Sequence, residues 1–270
     1  MARTTLGIGS YSMPIHVRHG KRNAFDIVDI AKKKELEVVQ IADNISLTKL
    51  SMEELETLRE KAKRYGITLE TGLRGIMPEN LERHIELSHT LDSHLLRAVI
   101  DAKDFQPTKD EIHSILKNIQ PKLEEYDITL GIENHDRFYS DEFKEIICKL
   151  DSKHFGIVLD TANSLSKEEP ITSVLDNLAP YSVCFHIKDY KIIRNPYGMG
   201  LLITGTPAGR GRLDIPGIIK RLEGEAQSNF SSIIEFWIDE EKTLDDSLEK
   251  EERWLDESIR YMKGNCNLPF

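Results

Sequence analysis

Four apolar stretches of this chain end in a residue able to bind a cation. They are Gly131-Ile132-Glu133, Val158-Leu159-Asp160, Cys184-Phe185-His186 and Ile233-Ile234-Glu235. Each has an ordinary explanation when taken alone. A carboxylate at a strand end usually faces solvent, and a histidine between Phe185 and Ile187 can be a hydrogen-bonded core residue. Four in succession are harder to explain without a shared ligand. Three carboxylates and one imidazole form a hard, oxygen-rich set, suited to one divalent ion such as Mn²⁺, Mg²⁺, Co²⁺ or Zn²⁺. Such a cluster is costly to assemble without a cation. A proton beside a carbonyl is too weakly acidic to leave unaided at neutral pH. A cation on the carbonyl and the neighbouring hydroxyl stabilises the enediolate that forms. One carboxylate can then take the proton and a second return it. Glu133 and Glu235 are the candidates, or else both are ligands only and another group is the base.

Cations gather near the same run ends: Arg74, Arg97, Arg137 and Lys188. Either they bind an anionic substrate, a carboxylate or phosphate, or they pair with the site's own carboxylates. His135 either orients Glu133 and touches substrate or is a loop residue in solvent. His16, after the first run, either touches substrate or is an inert loop histidine. Trp237 is either a wall for a sugar face or a core cap. The segment Arg194 to Pro216 is rich in glycine and reads as a long mobile cover. Within it, Gly209-Arg210-Gly211 either presents N–H groups to an anion, with Arg210 at the substrate, or turns into a helix at Asp214.

These residues need a frame. Eight short apolar runs occur, at 6–11, 38–43, 68–74, 95–100, 128–133, 155–160, 183–187 and 232–237. Between them lie longer segments with helical spacing, at 24–34, 52–65, 80–91 and 108–126. Ser51 with Glu54 and Thr108 with Glu111 read as capping boxes. Gly66 and Gly156 stand where glycine often closes a helix. Strand–helix alternation implies parallel strands. Eight such units in about 250 residues predict an α/β fold, a single (β/α)8 TIM barrel spanning 1–270. The rival, a doubly wound dinucleotide-binding sheet, lacks its fingerprint, because no third glycine follows Gly7-Ile8-Gly9 at the required spacing.

Composition narrows the partners. There are 36 basic and 46 acidic residues, a net charge of −10. That argues against nucleic acid and against an anionic membrane surface. Cys148, Cys184 and Cys266 are too dispersed for a disulfide framework or a cysteine-rich zinc module. No apolar stretch is long enough to span a bilayer, and a cytoplasmic location is expected. The expected partner is a small molecule, and self-association into a homo-oligomer stays open.

The motifs Gly131-Ile132-Glu133-Asn134-His135, Val158-Leu159-Asp160-Thr161, Phe185-His186-Ile187-Lys188-Asp189, Gly209-Arg210-Gly211-Arg212-Leu213-Asp214 and Ile234-Glu235 together resemble the xylose isomerase-like TIM barrel superfamily. The resemblance covers nearly the whole chain. It implies that Glu133, Asp160, His186 and Glu235 bind one metal. By likeness to the ketose 3-epimerases, it also implies that Glu133 and Glu235 move protons on opposite faces of the substrate. Those epimerases carry a substrate-binding histidine two residues after Asp-Thr, where this chain has Asn163, so Asn163 is a substrate-binding candidate of altered character. Endonuclease IV, a distant member, has a metal-binding histidine there, and its absence here implies one metal rather than three. The expected activity is isomerisation or epimerisation of a sugar or sugar acid. The alternatives are a lyase of the same superfamily, decarboxylating a 3-oxo sugar acid or dehydrating, and a non-catalytic metal-binding barrel.

Overall fold

The computed structural model describes residues 1–135 and 137–266; the last four residues of the expected 1–270 domain lie outside the described residues. Eight parallel strands close into a barrel. In chain order they are β1 (Thr4–Gly9), β2 (Val38–Ile41), β3 (Thr68–Arg74), β4 (Leu95–Val99), β5 (Thr129–Glu133), β6 (Phe155–Asp160), β7 (Ser182–Ile187) and, after an antiparallel pair β8 (Tyr190–Arg194) and β9 (Leu201–Gly205), β10 (Phe230–Ile234). The closed order is β1-β10-β7-β6-β5-β4-β3-β2, so β5, β6, β7 and β10 are neighbours. The expected (β/α)8 barrel is therefore present.

Helices fill the crossovers: α1 (Pro14–Arg18), α2 (Ala24–Lys33), α3 (Met52–Tyr65), α4 (Pro78–Thr90), α5 (Lys109–Glu125), α6 (Ser140–Leu150), α7 (Ile171–Leu178), α8 (Ile215–Glu225) and α9 (Leu244–Asn265). Their starts follow from local chemistry. Ser51 and Glu54 cap α3 reciprocally, and Thr108 and Glu111 do the same for α5. Leu55, Leu58 and Ala62 form the buried stripe of α3. None of these helices, among the described residues, is long and apolar enough to cross a membrane.

Strand periodicity sorts the barrel into two environments. Val39, Ile41, Phe185, Ile187 and Leu159 join the large core between strands and helices. The alternate residues Val38, Leu95, Val158, Cys184 and Ile233 form a separate small cluster that fills the lumen. Two residues further along the same strands come Gln40, Arg97, Asp160, His186 and Glu235, all buried. The lumen thus changes from apolar to polar within one pleat, toward the C-terminal ends of the strands.

Two local expectations need correction. Gly66 does close α3 in the left-handed region, at φ 70°. Gly156 closes no helix; it lies inside β6, and Asp151 takes the left-handed turn after α6. Gly156 has a packing role, because a Cβ there would lie 2.4 Å from Val183 Cγ1. The segment after β7 is not an open loop. Lys191-Ile192-Ile193 and Leu201-Leu202-Ile203 pair antiparallel across a turn at 195–200. Apolar residues on both strands favour pairing, and Gly200, at φ 100°, supplies the positive φ at the turn. The ribbon stands out from the barrel, with Tyr197 and Met199 almost fully exposed.

Gly156→Ala is expected to lower unfolding free energy by about 1–3 kcal/mol, because β-branched Val183 cannot swing away. Urea denaturation of Gly156→Ala, Val183→Ala and the double variant checks this. The double variant should recover part of the loss, and an unchanged midpoint in Gly156→Ala would show that the contact is slack.

Candidate metal centre and active site

The C-terminal ends of β5, β6, β7 and β10 bring the four expected residues to one place. Glu133 and Asp160 are the last residues of β5 and β6, His186 pairs in register with Asp160, and Glu235 follows β10, its N–H donating to the Ile187 carbonyl. All four are buried. Glu133, Asp160 and His186 each offer a ligand atom within 4.8 Å of the others. Glu235 stands outside that compact group, yet its Oε2 is 3.5 Å from His186 Nδ1.

The His186 ring gives the test of fit. Its Nε2 lies 2.8 Å from Gln40 Oε1, which can only accept, so Nε2 is the donor and Nδ1 is the ring atom turned toward the acids. Nδ1 is buried without a hydrogen-bond partner among the described residues. Around it lie Glu133 Oε2 at 3.4 Å, Glu235 Oε2 at 3.5 Å and Asp160 Oδ2 at 3.9 Å. With metal–ligand bonds of about 2.0–2.2 Å, ligand atoms on a shared ion stand roughly 3.0–3.5 Å apart. The donor set and its spacing therefore fit a divalent cation.

The rest of the site holds the carboxylates still. Glu133 accepts from Arg97 Nε at 2.5 Å through Oε2 and from Asn163 Nδ2 at 2.7 Å through Oε1. Arg97 also donates from Nη1 to Asp43 Oδ1 at 2.7 Å. Asp160 Oδ1 accepts the N–H groups of Ala162 and Asn163, while Oδ2 is 2.7 Å from Lys188 Nζ. Lys188 also reaches Glu235 Oε2 at 3.1 Å. Asn134 clamps the end of β6 through both Asp160 backbone groups. Burial pushes the Glu133 carboxyl up, but Arg97, then His186 and Lys188, pull it down, and it ends well below the usual carboxylate range. Burial works against the charges of Arg97 and Lys188. The carboxylates, led by Glu133 for Arg97 and Asp160 for Lys188, more than offset it and hold both cations firmly protonated.

A cavity of about 460 Å³ opens above this layer. Glu133, Glu235, Arg74, Arg97, His135, Asn163, Lys188 and Trp237 line it, and Asp160 and His186 lie buried beside them. Of the expected substrate-binding residues, only Arg210 is elsewhere, exposed and beside Glu257. The reason is internal. The N–H groups of Gly209, Gly211, Arg212 and Leu213 all donate to the Asp189 carboxylate, so the anion of this nest belongs to the protein. Asp214 caps α8, as the structural alternative required. Arg137 pairs with Asp101 away from the cavity. His16 is buried against Glu251 and does not line the cavity. Two open choices about the cations resolve toward internal pairing, since Arg97 and Lys188 serve the site's own carboxylates. Arg74 lies 3.2 Å from Asp43 and 3.4 Å from His135, with its side chain 37% exposed.

Sequence reasoning missed Asp43, Tyr11 and Gln40. Asp43 ends the second apolar run, so the rule that found Asp160 would have found it. Tyr11 Oη lies 3.3 Å from Asp43, and burial, with Asp43, pushes its hydroxyl up to about 12. Gln40 carried no sequence signal; only closure of the barrel brings β2 within three strands of β7.

The comparisons bear on the family and the fold. Residues 25–264 match the family described as xylose isomerase-like TIM barrel. The chain belongs to that family. It is 29% identical over 225 residues to 3-oxo-isoapionate decarboxylase of Pectobacterium atrosepticum, which covers 83% of this chain and 82% of that protein. Among solved structures, D-psicose 3-epimerase, crystallised in the presence of D-fructose, superposes with a TM-score of 0.71 at 16% identity, over 97% of this chain and 98% of that one. A xylose isomerase-like TIM barrel protein from Mycobacterium smegmatis in complex with magnesium gives 0.68 at 14% identity, over 96% and 99%. The proteins this chain is similar to thus include both a decarboxylase and an epimerase, and a shared barrel does not choose between them.

Deeper in the lumen, Gln40 Nε2 donates to Glu70 Oε2 at 2.9 Å. Burial pushes the Glu70 carboxyl up to about 7 from an ordinary 4.5. The folded chain therefore holds this proton more tightly than the unfolded chain. Stability from this group is present below about pH 4.5, declines as pH rises to 7, and is lost above it, by roughly 3 kcal/mol at most. Urea unfolding in EDTA at pH 5 and pH 8 checks the sign. Wild type should lose stability relative to Glu70→Gln on going to pH 8; a difference that does not change with pH would mean that Glu70 titrates normally.

Proposed function

We propose that this chain is a divalent-cation-dependent lyase that decarboxylates a 3-oxo sugar acid. The observation that carries the reading is the state of Glu133. Both its oxygens accept short hydrogen bonds, from Arg97 and Asn163. A carboxylate so committed is a weak base for a C–H proton. The expected isomerase or epimerase needs Glu133 as one of two opposed bases, whereas decarboxylation needs no base at carbon. The likeness to 3-oxo-isoapionate decarboxylase supports the same reading.

Glu133, Asp160 and His186 would hold the cation, with Glu235 beside them. The ion would be Mn²⁺, Mg²⁺, Co²⁺ or Zn²⁺, and when bound it would withdraw charge from an oxyanion developing at the substrate carbonyl. The carboxyl carbon leaves as CO₂, its bonding electrons pass to the adjacent carbonyl, and the carbon left behind takes one proton. We assign that proton to Lys188 Nζ, which lines the cavity. Asp160 and Glu235 make it a weak acid, yet it remains far more acidic than the C–H bond it forms. Arg74 at the cavity mouth holds the substrate's negative charge. Trp237, with its ring 5.8 Å from Lys188 Nζ, covers the reacting end and excludes water.

Metal-free protein titrated with Mn²⁺ or Zn²⁺ is expected to bind one ion per chain, and Glu133→Gln and Asp160→Asn should each weaken binding. Unchanged affinity in both variants would remove the site. With a 3-oxo sugar acid in D₂O, CO₂ should be released and deuterium should appear only in a product one carbon shorter. Lys188→Met should lower kcat/KM at least tenfold, about 1.4 kcal/mol. Deuterium in recovered starting sugar, without gas release, would reinstate the epimerase.

A further inference from the structure

We propose that Glu70 is a positioning residue for the metal centre: through Gln40 it keeps the proton of His186 on Nε2 and leaves Nδ1 free for a cation. The inference rests on His186 as a metal ligand and goes beyond it to what sets that ligand's state.

Three strands of the barrel supply the chain of contacts. Glu70 comes from β3, Gln40 from β2 and His186 from β7, and all three are buried. An ionised carboxylate can only accept hydrogen bonds. Glu70 Oε2, 2.9 Å from Gln40 Nε2, therefore requires the NH₂ end of the Gln40 amide to face it. The same NH₂ group lies 3.6 Å from Cys184 Sγ, a weak acceptor. Both amide hydrogens are thus used on that side. A flipped amide would set its carbonyl oxygen against the Glu70 carboxylate and its hydrogens against His186. With the amide so fixed, Gln40 Oε1 faces His186 Nε2 at 2.8 Å. A carbonyl only accepts, so Nε2 must carry a proton. The remaining nitrogen, Nδ1, is the atom that lies 3.4–3.9 Å from oxygens of Glu133, Glu235 and Asp160.

Protonation of Glu70 on its other oxygen leaves the arrangement intact, because Oε2 still accepts from Gln40. The bland alternative is a satisfied polar pair that merely fills the lumen. It predicts that changes at Glu70 alter stability but not the ring of His186.

The experiment reads that ring. Protein labelled with ¹⁵N-histidine is recorded in two-bond ¹H–¹⁵N spectra, metal-free and Zn²⁺-loaded, with the His186 signals assigned by their loss in His186→Gln. Wild type should show a slowly exchanging Nε2–H in both states. Gln40→Met removes the acceptor, and Glu70→Gln replaces it with an amide that no longer dictates the orientation of Gln40. In both, Nε2–H should exchange rapidly or share its proton with Nδ1, and Zn²⁺ affinity should fall about 10–100-fold. Glu70→Asp, still a carboxylate, should stay close to wild type. A wild-type ring lacking the Nε2 proton would overturn the proposal, as would Glu70→Gln with unchanged exchange and affinity. If wild type bound no Zn²⁺, the metal reading would fail, while the metal-free spectra would still decide the role of Glu70.

Discussion

Glu133, Asp160 and Glu235 are all buried and each sets an oxygen 3.4–3.9 Å from His186 Nδ1, and the C-terminal end of the barrel is arranged around that fact. Removing several carboxylates from water is prohibitive unless each finds a partner. Arg97 and Lys188 supply two positive charges, each shared between two acids. Three buried carboxylates against two buried cations leave one negative charge, and the unpaired nitrogen of His186 faces it. A divalent ion there would more than offset the remaining negative charge. Removal of either cation would strand carboxylates in the lumen, so Arg97 and Lys188 belong to the structural basis of the site even though both also line the cavity.

This charge balance explains what could be read from the sequence and what could not. Strands and helices follow local periodicity and capping, so the eight barrel strands were legible to within a few residues. The candidate ligands were legible because a parallel barrel ends its strands at one face, which turns the last residue of each run into a site residue. Asp43 obeyed that rule and was still overlooked. Partnerships across the barrel were not legible. Whether Arg97 meets a substrate or Glu133 depends on the neighbours β4 and β5, and whether Gln40 meets His186 depends on closure of the barrel, which brings β2 within three strands of β7.

The misread segment after β7 shows a different limit. Glycines at 198, 200, 205, 209 and 211 suggested one mobile cover, but they serve unlike purposes. Gly200 takes a positive φ in the ribbon turn. Gly205 lets the ribbon approach the Trp237 backbone, where a Cβ would meet the carbonyl oxygen at 1.8 Å. Gly211 lies so close to Asp189 that a Cβ would fall 2.1 Å from its Oδ1. Glycine content marks places where backbone comes near something, and only the fold says what. Here Asp189 draws four N–H groups of the following loop to itself, which fixes residues 209–213 without any ligand.

The two ends of the cavity therefore have different origins. Its floor is built on strand termini, where backbone ladders on both sides hold each side chain. Its wall comes from connections: the β8–β9 ribbon, Trp237 after β10 and Asn163 after β6. Connections change at little cost to the core. The contact between Asn163 and Glu133 joins the two parts, because a wall residue there uses one oxygen of a floor carboxylate. A side chain at position 163 that turned instead toward the substrate would release that oxygen as a base. On this argument the choice between moving a proton and breaking a carbon–carbon bond lies in how Glu133 is engaged rather than in the ligand set.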